Sequence, residues 1–179
     1  MKAVDVPLER FRKARFWLND APAIDKNVVQ SHMRRLRSGE CDTVESRRVV
    51  VEISVPVGFT MYGLLGGRIE PLEDGFELEI RSGEGVAFSQ ALVSADLDEV
   101  RTGLADEYVA AVVESLEECV AHRIDSLPQA RITIDIAACG AVGSNEIVFR
   151  KLSKVLFESL ISTPIPTRDS MQKLIDKVF

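Results

Sequence analysis

Cysteine is scarce in this chain. Cys41, Cys119 and Cys139 are scattered over 179 residues and are odd in number. That pattern excludes a disulfide framework and points to reduced thiols in a reducing compartment. Histidine is scarcer still, with only His32 and His122. Imidazole-based nucleophilic catalysis therefore has little to draw on. Cys119 and His122 stand three apart on one helix, but no second ligand pair accompanies them, so no metal is expected. No apolar run is long enough to span a bilayer. Asp5, Glu9 and Arg10 occupy positions where a signal peptide needs apolar residues. The chain thus reads as cytoplasmic, with no membrane partner. A G-x-x-x-x-G-K-[ST] phosphate loop is also absent, which excludes a GTPase engine, and no cofactor is expected.

Apolar residues make up 46% of the chain, enough for a proper core at this length without staples. The net charge of −6 is unevenly spread, because half of the Lys and Arg lie before position 49. Phosphate backbones attract basic faces. Any nucleic-acid contact is therefore expected from the N-terminal segment and not from the acidic body.

Pro7 opens an expected helix to about Leu18, with Leu8, Phe11, Ala14 and Leu18 as its apolar stripe. Asp25 caps a second, which buries Val28, Val29, Met33 and Leu36 and ends on Arg34, Arg35 and Arg37 before Gly39. From Arg47 the period changes to two. Val49, Val51, Ile53 and Val55 read as a strand, and a second strand runs from about Leu64 to Leu72. Asp74-Gly75 turns the chain into a third, with Phe76, Leu78 and Ile80 alternating with Glu77, Glu79 and Arg81. Val86 to Val93 reads as a fourth strand, and Ser94 to Thr102 as a polar excursion. Asp106 to His122 carries a helical stripe of Tyr108, Val109, Val112, Val113, Leu116 and Val120. Ile132, Ile134 and Ile136 mark a further strand, and Ser144 is the expected N-cap of a helix to about Leu160. A short helix over 170–179 closes the chain. The expected division is a basic helical segment over 1–45, a domain over 46–163 and a terminal helix over 164–179. Strands grouped before a helix–strand–helix unit point to an α+β fold with helices on one face of the sheet.

Four segments occur in the order of a known family. They are Gly58 through Tyr62-Gly63 to Arg68-Ile69-Glu70-Pro71-Leu72 and Gly75-Phe76-Glu77; Leu104 to Val109; Arg131-Ile132-Thr133-Ile134-Asp135-Ile136; and Ser144-Asn145-Glu146-Ile147-Val148-Phe149. Together they cover roughly residues 47–162, and that stretch resembles domain IV of elongation factor G. The resemblance implies an α+β fold with a sheet of about four strands, helices on one face and a left-handed β-α-β crossover. In that family two tip loops reach the decoding centre of the small ribosomal subunit. Here Phe59, Thr60, Met61 and Leu64 replace the first loop's Arg, Gln and His. Ala138-Cys139-Gly140-Ala141-Val142 replaces a longer second loop that carries a His. Both loops thus lack donors for RNA edges and phosphates. The stretch between Ile80 and Leu104 is longer than in the family.

The functional reading is a non-catalytic binding domain. One partner class is the ribosome or RNA, met by Arg34, Arg35 and Arg37 and what remains of the first loop, Phe59, Thr60, Met61 and Tyr62. The other is a protein, met by the sheet face and by an apolar patch on the loop Gly58–Gly67, Phe59, Met61, Leu64 and Leu65, with Val142 of the second loop as a further candidate. Cys139 precedes a helix N-terminus, where a thiolate is favoured, and stands with the partner-binding candidates. Glu70, Glu77 and Glu79 read as one solvated strand face or as paired carboxylates for acid–base work. A small enzyme on the same fold is the alternative from a different class.

Overall fold

The computed structural model describes residues 3–9, 11–24, 30–36, 44–57 and 59–179. In chain order the strands are β1 (Val4–Pro7), β2 (Lys13–Leu18), β3 (Gln30–Leu36), β4 (Arg47–Val57), β5 (Phe59–Pro71), β6 (Phe76–Ser82), β7 (Val100–Thr102) and β8 (Ala130–Gly140). The helices are α1 (Asp106–His122), α2 (Glu146–Ile161) and α3 (Arg168–Val178).

Clean alternation makes β4 the seed of the sheet. Val49, Val51, Ile53 and Val55 go to one face and Val50 to the other, and all are buried. β5 pairs antiparallel along the full length of β4 and then offers its other edge to β8, also antiparallel. A bulge between Gly66 and Gly67 lets Asp135 and Ile136 share one side of β8. β6 lies parallel to the first half of β8, and β7 pairs antiparallel with its end. The sheet order is β1-β2-β4-β5-β8-β6-β3, with β7 beside β8.

Two apolar clusters cover the two faces. On one, Val112 and Leu116 of α1, Phe149, Leu152 and Leu156 of α2, and Met171 and Ile175 of α3 pack on the odd residues of β4 and on Leu78, Ile80, Ile132 and Ile134. On the other, Phe88, Val93 and Val100 close over Trp17, Val50, Tyr62, Leu64 and Ile136. Among the described residues no helix is long and apolar enough to cross a membrane.

This mixed eight-stranded sheet corrects the expected fold. The sheet of about four strands with helices on one face, a left-handed crossover and an N-terminal helical segment gives way to one large sheet that extends beyond those strands on both sides. The expected helix over 7–18 is instead the end of β1, a turn and β2. Ala14 and Phe16 enter the helix-covered core, while Trp17 enters the opposite cluster. Edge pairing with β4 supplies the hydrogen bonds that a helix would have supplied internally. The second expected helix falls partly outside the described residues, at 25–29 and at Arg37, and its described part is β3, paired with β6. The strand expected over 86–93 is irregular and keeps a single bridge, Ala87 to Arg101.

α2 sits so close to β5 that Gly63 has no room for a side chain. A β-carbon there would stand 2.7 Å from Leu152 Cδ1 and 2.8 Å from Val148 Cγ1. Gly63→Val is expected to destabilise the protein by about 1–3 kcal/mol through overpacking. Chemical denaturation checks this, and an unchanged midpoint would rule out the close contact of α2 with β5.

Candidate functional site

Strand register brings three loops to one end of the molecule. Lys13 pairs with Ser54, and Ser54 with Tyr62. The Tyr62 N–H then donates to the Gly143 carbonyl at 2.9 Å. Beyond this row lie the β1–β2 turn, the β4–β5 tip and the 141–145 loop that leads into α2. Adjacent strands lie about 4.8 Å apart, so the three loops share a width of roughly 10–15 Å. The two segments that resemble the family's tip loops are therefore neighbours.

Buried hydrogen bonds fix the loop after β8. Asp98, 5% exposed, accepts from the backbone N–H of Val142 at 2.9 Å and of Gly143 at 2.8 Å. The Ser144 hydroxyl donates to the Tyr62 carbonyl at 2.9 Å and accepts from the Gly140 N–H at 2.8 Å. Asp98 crowds Gly140 so closely that a β-carbon there would fall 2.0 Å from Asp98 Oδ2. Tyr108 donates its hydroxyl to the Ser144 carbonyl at 3.2 Å and stacks on Phe149 with ring centroids 4.8 Å apart. The N-cap of α2 is Asn145, whose side chain accepts from the Val148 N–H at 3.0 Å; Ser144 serves the loop instead.

Glu52 pins the excursion across the second face in the same way. This fully buried carboxylate accepts from the Tyr62 hydroxyl at 2.9 Å, from the Leu92 N–H at 2.8 Å and from Arg15. Arg15 lies 4.9 Å from the Trp17 ring centroid and also donates to the Gln90 carbonyl. Burial, and then Glu52, push the Tyr62 phenol well above its ordinary value, so it stays a neutral donor.

The loop end exposes three large apolar side chains beside the charged Lys13 and Glu146. Phe11 is 90% exposed at a left-handed position (φ 62°), Val142 is 70% exposed and Ile147 is 61% exposed. Of the residues singled out in the sequence, Val142 is thus a surface group. Tyr62 is fully buried and serves the frame, and Met61 is half-buried against the main core. Phe59 and Thr60 belong to β5, opposite Val57 and Pro56, and their side chains lie outside the described residues. Arg34 and Arg35 sit far off on edge strand β3, paired with Glu117 at 3.0 Å and Glu77 at 3.6 Å. Arg37 lies outside the described residues, as do Arg10 and Cys41. Phe11 and Ile147 were missed. Phe11 fell into a spurious helical stripe, and Ile147 into a genuine helix whose first turn projects past the core.

Cys139 borders a cleft of about 250 Å³ that is also lined by Glu84, Glu99, Arg101, Glu107 and Tyr108. Its thiol contacts the Gly103 carbonyl at 3.3 Å. Burial pushes this thiol up to about 12, the reverse of nucleophile activation. Burial likewise pushes Cys119 up to about 11. Among the described residues no group of three or more His, Cys, Asp or Glu is arranged to hold a metal.

Two outcomes follow. Asp98→Ala removes the acceptor of two loop amides, and a cost of about 1–3 kcal/mol is expected. Hydrogen exchange at Val142 and Gly143 should accelerate well ahead of exchange in β5, and equal protection in the variant would refute the locking role. The unfolded Cys139 thiol loses its proton near 9.0, whereas the folded one keeps it to about 12. The folded state therefore binds more protons in that window, and its stability falls as pH rises from about 9 to 12. Cys139→Ala should flatten that alkaline slope in denaturation midpoints, and an unchanged slope would contradict the shift. No protein-family model matches this chain, and the search of curated proteins finds no match either.

Proposed function

We propose that this chain is a non-catalytic binding module that docks a protein partner through its loop end. The exposed apolar set Phe11, Val142 and Ile147 supports this reading, with Val142 on a loop held by buried hydrogen bonds and Ile147 on the first turn of α2. Rigid apolar anchors lose little entropy on binding and form the energetic centre of protein interfaces. The use of the molecule is then the one that its resemblance to elongation factor G domain IV implies, presentation of two tip loops to a large partner. The chemistry of the contact differs. Phosphate binding draws on unpaired Lys and Arg. Here Arg12 pairs with Asp176, Arg15 with Glu52, Arg34 with Glu117 and Arg35 with Glu77. An enzyme reading fits less well, because Cys139 is held protonated and no histidine lines its cleft among the described residues.

A photo-crosslinking residue at position 142 of the full chain, with position 173 on α3 as control, tests this in intact cells. A discrete protein adduct is expected from 142 and not from 173, insensitive to nuclease. Phe11→Asp should weaken it roughly thirtyfold, the effect of losing about 2 kcal/mol at an anchor. A nuclease-sensitive adduct with ribosomal RNA would replace this reading with the ribosomal one. No adduct above the control would end both.

A further inference from the structure

The end of the sheet opposite the loops holds a buried cation with unused donors. Arg47, the first residue of β4, is only 7% exposed. One terminal nitrogen donates to the Ser162 carbonyl at the end of α2, at 2.6 Å. That contact suits the negative end of the helix dipole. The Nε–H is buried with no hydrogen-bond partner, and among the described residues Arg47 forms no ion pair. An unpaired buried cation and an orphaned buried donor are each costly.

Arg47 lines a cavity of about 510 Å³, within the size range of small-molecule sites. Val44, Pro128, Ile161, Pro164 and Ile165 supply apolar walls. With one terminal nitrogen engaged at Ser162 and Nε sealed from solvent, the second terminal nitrogen is the donor left for a carboxylate. Arg123 also lines the cavity but is held by Glu158 at 2.6 Å, and Glu45 stands at the rim. The ends of α1 and α2 add partial negative charge. A doubly charged phosphate is therefore opposed, whereas a single carboxylate on an apolar body matches both the one free donor and the walls.

We propose that this cavity is a binding site for an apolar monocarboxylate, held by the remaining terminal nitrogen of Arg47. The carboxylate belongs either to a free organic acid or to the C-terminus of a peptide chain. The site is independent of the loop end and its partner.

Calorimetric titration of the full chain with hexanoate and with N-acetyl-leucine tests this, using hexanol and N-acetyl-leucinamide as uncharged twins. Saturable binding of an acid at about millimolar Kd is expected for ligands of this size. Both neutral twins should bind at least tenfold more weakly, about 1.4 kcal/mol. Preference for hexanoate indicates a free acid, and preference for N-acetyl-leucine a chain terminus. Arg47→Lys keeps the charge but loses the planar guanidinium that reaches Ser162 and the ligand at once, and should weaken binding about tenfold or more. Ile165→Glu places a charge at the mouth without touching Arg47 or the fully buried core, and should do the same. Three results would each overturn the site: no saturable heat from either acid at roughly tenfold above that Kd, equal binding of acid and neutral twin, or unchanged affinity in Ile165→Glu.

Discussion

The backbone ladder of β8 is the constraint on which the other elements depend. One edge of β8 is taken by β5. The other is shared, by β6 alongside Ala130 to Ile134 and by β7 alongside Ala138 to Gly140. A buried strand cannot leave N–H and C=O groups unpaired. The short β7 is therefore needed to complete the ladder where β6 turns away. Its placement fixes the excursion before it, and with it Asp98, which holds the loop beyond β8. The geometry of the loop end thus follows from satisfying one strand's hydrogen bonds.

The second sheet face obeys a related rule. Asp135, with 1% of its side chain exposed, accepts from Arg48 at 2.8 Å and Arg68 at 2.8 Å, and Glu77 accepts from Arg131 at 2.6 Å. Glu79 takes Arg81 at 2.8 Å together with Ser31 and Thr133, and Arg81 draws its carboxyl below the ordinary range. Each carboxylate lies beneath a partly exposed guanidinium. Buried acids need such partners, because removing one side of the pair strands a charge. The face is consequently a lattice of near-balanced ion pairs, with little free charge to offer a polyanion.

Much of this was legible in the sequence. Period two marked β4, β6 and β8, and period 3.6 marked α1 and α2, because each carries one apolar face along its length; β5 was placed by the turn that ends it, and its start at Phe59 and not Leu64 went unread. Legibility failed where partners are distant. β2 has six residues, and Ala14 and Leu18 fit a helical stripe as well as an alternating one. Only pairing with β4 decides between them. β3, with Arg34 and Arg35, looks like the basic end of a helix until the register sets Arg35 opposite Glu77. The glutamates of β6 looked like a solvated row; Glu70 is exposed, but Glu77 and Glu79 are 9% and 8% exposed. Of the site, Val142 was readable as part of a loop, but Leu64 and Leu65, expected in an exposed apolar patch, are fully buried because β5 is a central strand covered on both faces. Phe11 was not readable, because its exposure depends on a left-handed turn that no glycine announces.

These environments support the proposed binding role over an enzymatic one. Catalytic groups need pKa values near working pH and access to substrate. In this protein the tuning runs the other way. Cys139 and Tyr62 are driven up by burial and held neutral, and the acids of the sheet are sunk beneath arginines. Desolvation is spent on rigidity: neutral donors and paired carboxylates hold loops in place but do not move protons. Phe11, Val142 and Ile147 stay exposed at the loop end, and Arg47, only partly paired, lines the cavity at the other. A scaffold that pairs its buried acids with arginines and leaves anchors at its two ends suits the binding role proposed for it.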